Sequence, residues 1–215
     1  MAPPSAENGD SYAADQQFMQ FVFTDVQNMW VSWFDSQGLG RPSAAGILLK
    51  APTNTGCGEI DPDTLNAAYC PPDDTVYIPM ETIHNAIHGN FFGQINDSRL
   101  TNAAAAFVVA HEYGHNVHNE LYANNVYMTV APEPKSKERE LFADCAAGVW
   151  GFKAYYSGYF EPGDLSSILA GAAALADAGT GKDPHGSPEE RDQAFLKGYN
   201  SGSPWQCATT YLGSR

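Results

Sequence analysis

Between Glu140 and Trp150 the chain reads ELFADCAAGVW. Leu141, Phe142, Ala143, Cys145, Ala146, Ala147 and Val149 leave no polar face for solvent, so this stretch predicts a helix, from Ser136 to about Tyr156, that is buried nearly all round. Such a helix must be covered on every side by other elements. Glu140 and Asp144 lie four apart, so both carboxylates point the same way. A solvated acidic face does not fit these surroundings. Carboxylates carried into a core need partners or a metal. One of the two can bind an ion, and the other can accept the free ring N–H of a ligand histidine and fix its tautomer.

The histidines come from the preceding helix, expected over Thr101 to about Leu121, where Phe107 to Glu120 reads FVVAHEYGHNVHNE. His111, Glu112 and His115 fit the H-E-x-x-H pattern. Residues four apart share a helix face, so both imidazoles can reach one ion. Glu112 is offset by one residue, which sets its carboxylate beside the ion. There it can take a proton from the attacking water and pass it to a leaving amine. Zinc suits the task, since it accepts nitrogen and oxygen ligands and lowers the pKa of its water towards ~7. His118 cannot complete the set: at ~1.5 Å rise per residue it sits about 10 Å along the axis from His111. It is expected at the surface or one layer behind the site. His84 and His88 are also four apart and could chelate a metal, but no Glu lies between them and no acidic pair follows at a suitable distance, so they read as helix-surface or structural histidines.

The rest of the chain supplies the cover. An amphipathic helix is expected over Asp15–Gln37, with Phe18, Phe21, Val22, Val26, Met29, Trp30 and Trp33 on its core face. AAGILLK and TVYIP read as short strands on either side of a turn-rich segment, 52–74, in which Asp61, Asp63, Asp73 and Asp74 are turn residues. A short helix is expected over Glu81 to His88, ended by Gly89, and a loop over 122–135. An alanine-rich helix follows over Leu165–Ala178, and a last one opens with Ser187 as N-cap, Pro188 and Glu190. TVYIP is expected to offer a sheet edge, through Tyr77 and Ile78, to an extended peptide. Residues 1–13 read as a disordered lead and 14–215 as one domain.

The formal net charge of −14 repels phosphate backbones and anionic lipid, which disfavours a nucleic-acid or membrane-surface role. No apolar run approaches the ~20 residues of a membrane span. The four cysteines have no CxxC spacing, and an even number in an acidic chain points to two disulfides and an extracytoplasmic or secreted protein. The N-terminus has no signal-peptide pattern, so an export signal or anchor is expected outside this sequence. Of three connectivities, Cys57–Cys70 and Cys145–Cys207 is the one expected. The first closes a short turn-rich loop, and the second ties the C-terminal tail to the acidic helix.

H-E-x-x-H followed by E-x-x-x-D is the arrangement of the gluzincin metallopeptidases. The segments GCGE, AYCPPDDTVYIP, AHEYGHNVHN, ELFADCAAGVW and HGSPEERDQAF, then Cys207, run in the order of a bacterial family of neutral zinc metallopeptidases, which this chain resembles from about Cys57 to Cys207. Asn116 and His118 stand where that family usually has His and Gln, and Phe142 at a usually polar place. The resemblance implies Zn2+ held by His111, His115 and Glu140, with Glu112 as general base and acid and Asp144 behind a ligand. It also implies a downstream histidine that steadies the oxyanion, and His185 alone follows Glu140. The dipole of the helix it precedes is expected to keep its ring neutral, with Asp183 orienting it. Alternatively His185 shapes the turn, and Arg191 or a tyrosine is the donor. The expected protein is thus a zinc-dependent endopeptidase acting on peptides or proteins. Its expected fold is α+β and mostly helical, zincin-like, with a small sheet packed on helices. A catalytically silent zinc-containing domain that binds a partner is the alternative, and Glu112 discriminates against it.

Overall fold

In chain order the elements are α1 (Tyr12–Gln37), β1 (Ala45–Leu49), β2 (Thr53–Thr55), β3 (Gly58–Ile60), β4 (Ala68–Cys70), β5 (Thr75–Pro79), α2 (Met80–Ile87), β6 (Asn90–Phe91), β7 (Ile95–Asn96), α3 (Asn102–Ala123), α4 (Ser136–Tyr156), α5 (Asp164–Asp177), α6 (Pro188–Ser201) and α7 (Pro204–Tyr211). The computed structural model describes residues 12–64, 67–88, 90–91, 95–96, 102–124, 136–161, 163–177 and 185–213. Residues 1–11 of the expected lead, Gly89, most of the loop after α3, and Asp183 lie outside them. The fold is mostly helical with a small sheet, an α+β arrangement.

Helix α4 is the hub that its composition requires. From Leu141 to Gly151 every residue is buried. α3 covers one side, α6 another, and α7 a third. Helix α3 is equally enclosed, with Ala103 to Gly114 buried without interruption between α1, α2, α4 and α5. Helix α1 begins at Tyr12, so the last two residues of the expected lead are helical. Its stripe enters the core through Phe18, Val22, Val26, Met29 and Trp30, with Met19 and Phe34 also buried. Burying each such side chain contributes about 1.5–3 kcal/mol. Trp33 is partly buried and meets Trp205 of α7 edge-on, ring centroids 5.2 Å apart.

The sheet corrects one expectation. Its order is β1-β5-β4, with β5 parallel to β1 and antiparallel to β4. TVYIP is therefore the central strand. All five of its residues are buried, as a continuous apolar run permits, and its backbone has no free edge for a peptide. The edges belong to β1 and β4. β2, β3 and β4 have three residues each, too few for an alternating pattern to stand out in the sequence. Helix α7, eight residues opened by Pro204, was likewise not expected, because it is too short for a periodic stripe.

Cys57 and Cys70 stand at disulfide distance, with Cα atoms 5.8 Å apart, and so do Cys145 and Cys207, at 5.6 Å. The second pair joins α4 to α7 one residue after Asp144. Two glycines let α4 and α6 meet backbone to backbone. A methyl group on Gly198 would stand 1.9 Å from the carbonyl oxygen of Cys145, and one on Gly148 would stand 2.1 Å from that of Phe195. Neither obstacle is a flexible side chain, so the helices themselves would have to part. Gly198→Ala should cost about 3 kcal/mol of stability in urea denaturation; an unchanged midpoint contradicts this contact.

Candidate metal centre

The α3–α4 crossing is also made at a glycine. A methyl group on Gly114, the residue before His115, would lie 2.8 Å from the Cα of Ala143. This close approach carries Glu140 of α4 across to the histidine face of α3. Glu140 Oε2 lies 3.3 Å from His111 Nε2, and Oε1 lies 3.5 Å from His115 Nε2. The two rings are nearly perpendicular, with centroids 4.9 Å apart. One donor atom from each of the three residues lies within 4.8 Å of the others. Metal bonds of ~2.0–2.1 Å in a tetrahedron separate ligand atoms by about 3.3–3.4 Å, and each ring nitrogen stands near that distance from one of the two Glu140 oxygens.

Behind His111 stands Asp144. His111 Nδ1 and Asp144 Oδ1 are 2.8 Å apart, so the ring gives its Nδ1 hydrogen to the carboxylate and turns Nε2 towards Glu140. Asp144 is fully buried and Arg191 of α6 almost so. Arg191 Nε donates to Oδ2 at 2.9 Å and Nη2 to Oδ1 at 2.7 Å. Burial disfavours the Asp144 carboxylate, but Arg191 and His111 outweigh it and hold its pKa below the usual range. Burial likewise lowers the pKa of His111, yet Asp144 and Glu140 push it up to about 10. His115 moves the other way, to about 4, because burial outweighs Glu140. A cation bound at His111 Nε2 would displace the proton that Asp144 and Glu140 favour on that ring.

Glu112 is buried and tied to the sheet. Its Oε2 accepts the backbone N–H of Tyr69 on β4 at 3.0 Å, and burial, the largest influence, raises its pKa. The Tyr69 hydroxyl donates to Asp74 Oδ1 at 3.0 Å, and Asn116 Nδ2 donates to the same oxygen at 2.9 Å. Asp74 is a turn residue, as expected, at φ 46° in the left-handed region, but it also anchors the strand that holds Glu112. Asn116 belongs to this anchor. Sequence reasoning missed both: the Tyr69 donor is backbone and carries no residue signature, and Asn116 meets Asp74 from 42 residues away.

Two other expectations change. Arg191, considered as an oxyanion donor, is committed to Asp144 by two hydrogen bonds. His185 reaches the cluster, with Nδ1 3.3 Å from Glu140 Oε2. Its pKa is raised, not lowered as the helix dipole alone would have it, because its ring hydrogen-bonds the Glu140 carboxylate. The expected capping box at Ser187 and Glu190 is present. His84 and His88 both stand against the buried Asp15 of α1, which fits the structural reading of the two offered by the sequence.

His118 sits apart from the cluster over Phe142, ring centroids 6.1 Å apart, with its Nε2 buried and unpartnered. Burial, aided by His115 and Arg139, pushes its pKa down to about 4. The unfolded chain, with histidine near ~6.5, therefore takes up more protons between those values, and stability falls as pH drops through that window. Between pH 7 and pH 5 the native chain should lose about 1–2 kcal/mol more than His118→Leu in urea denaturation. Equal losses contradict a buried neutral ring.

The chain belongs to the family described as "Putative neutral zinc metallopeptidase", whose model matches residues 2–210. Among its relatives, a protein of Escherichia coli K12 named "Uncharacterized protein YpfJ" is 28% identical over 214 residues, covering 90% of this chain and 70% of its own length. "Uncharacterized protein Rv2575" of Mycobacterium tuberculosis is 33% identical over 187 residues, covering 75% of this chain and 60% of its own. No solved structure matches the chain.

Proposed function

We propose that this chain is a zinc-dependent endopeptidase, with His111, His115 and Glu140 as the zinc ligands. The observation that carries the reading is the spacing of two imidazole nitrogens around one carboxylate, 3.3 and 3.5 Å, with a buried Glu112 beside them. When bound, zinc supplies a Lewis acid that polarises the scissile carbonyl and makes water acidic enough to attack near neutral pH. Asp144 fixes the His111 tautomer and strengthens it as a ligand, and Arg191 keeps Asp144 ionised.

Glu112 takes one proton from the attacking water and delivers it to the amine as the peptide C–N bond breaks. Its raised pKa suits both halves of that shuttle, since a carboxylate too acidic would not hold the proton long enough to pass it on. The Tyr69 N–H holds it in position throughout. His185, beside Glu140, is the donor that steadies the negative oxygen of the tetrahedral species. Two cysteine pairs at disulfide distance support work outside the cytoplasm, and no helix among the described residues is long and apolar enough to cross a membrane.

Glu112→Gln keeps the acceptor for Tyr69 but cannot take the proton. It should retain zinc while peptide turnover falls by about 10²–10⁴-fold, measured on cleavage of a peptide library with and without chelator. Undiminished cleavage by this variant rules out the role of Glu112. A native protein that binds zinc and cleaves no peptide favours the partner-binding alternative.

A further inference from the structure

We propose that Asp15, His84 and His88 form a second site for a divalent cation of the zinc class, joining α1 to α2. Asp15 lies in the opening turns of α1 and is fully buried. His84 and His88 lie one turn apart at the end of α2, ring centroids 4.4 Å apart. Asp15 Oδ2 is 2.8 Å from His84 Nδ1 and 3.8 Å from His88 Nε2. These distances bracket the ~3.4 Å between ligand atoms of a tetrahedral zinc ion, and one donor atom from each residue lies within 4.8 Å of the others.

A second observation points to a ligand. Asp15 Oδ1 is buried without a hydrogen-bond partner. A buried carboxylate with an idle oxygen is costly, and among the described residues its ion-pair partners are these two rings. A cation between the three groups would use both histidines and neutralise the carboxylate. Two nitrogens and one oxygen favour zinc and similar transition ions over calcium or magnesium, which prefer all-oxygen sets.

The site is also preorganised. The Tyr12 ring stacks on His84, centroids 4.6 Å apart and 9° from parallel, which fixes the ring plane. The Tyr12 hydroxyl is hydrogen-bonded to Glu81, whose other oxygen accepts from Asn85 Nδ2 at 3.3 Å. Glu81 is thereby engaged outside the cluster. The His88 side chain is 39% exposed and that of His84 22%, so an ion has a path in from solvent. No carboxylate occupies the place that Glu112 has in the first cluster, and the ion here would hold two helices together without activating water.

The rival occupant is a proton shared by Asp15 and His84. Zinc titration of chelator-stripped protein by calorimetry distinguishes the two. The native chain should bind two equivalents, His88→Ala one, and Glu140→Ala one. Saturating zinc should also raise the Tm of Glu140→Ala by about 5 °C or more, and should leave that of the Glu140→Ala/His88→Ala double variant unmoved. His88 is an exposed helix-end residue, so its replacement should leave the fold intact by circular dichroism. Equal zinc stoichiometry in the native chain and His88→Ala overturns the second site. Should the catalytic ligands be wrong while this site is right, the native chain would bind a single equivalent that His88→Ala loses and Glu140→Ala keeps.

Discussion

The buried carboxylate of Asp144 is the point on which the rest of the molecule turns. It lies on a helix enclosed on every side and is itself fully buried. It is stable there only because Arg191 of α6 binds both its oxygens and His111 of α3 gives it a ring hydrogen. Each of the three partners would be costly alone in the core. Together they register three helices against one another. The same bonds determine which nitrogen His111 presents to the centre, so an interaction that stabilises the fold also prepares the site.

The surrounding packing can be read as what this arrangement demands. For Arg191 to reach Asp144, α6 must lie against α4 without intervening side chains, and Gly148 and Gly198 remove them. For Glu140 to reach the histidines, α3 must also approach α4 closely, and Gly114 allows it. The Cys145–Cys207 pair fastens α7 to α4 next to the buried carboxylate. On the open side Glu112 is held by a strand instead of a helix, through a turn built on Asp74. The centre thus has a rigid back of crossed helices and a front formed by the edge of a small sheet.

What was legible in the sequence is what repeats within one element. His111 and His115, or Glu140 and Asp144, are four apart on helices long enough to show their period, and the apolar cover of α4 told that it would be central. Contacts between distant elements left no such trace. Arg191 is 47 residues from Asp144, and Asp15 is 69 residues from His84. No spacing rule joins them. TVYIP is a different lesson: a largely apolar run without alternation suits a central strand covered on both faces, and nothing in it marks an exposed edge. The short strands and α7 were missed because three to eight residues are too few for a pattern.

The central claim is that His111, His115 and Glu140 hold one zinc ion in front of Glu112. Anomalous diffraction at the zinc edge from crystals of the zinc-loaded protein tests it directly. The account predicts a peak bonded at about 2.0–2.2 Å to His111 Nε2, His115 Nε2 and a Glu140 oxygen, with Asp144 still on His111 Nδ1. A cluster without zinc, or an ion held by Asp144 while Glu140 points away, would contradict it.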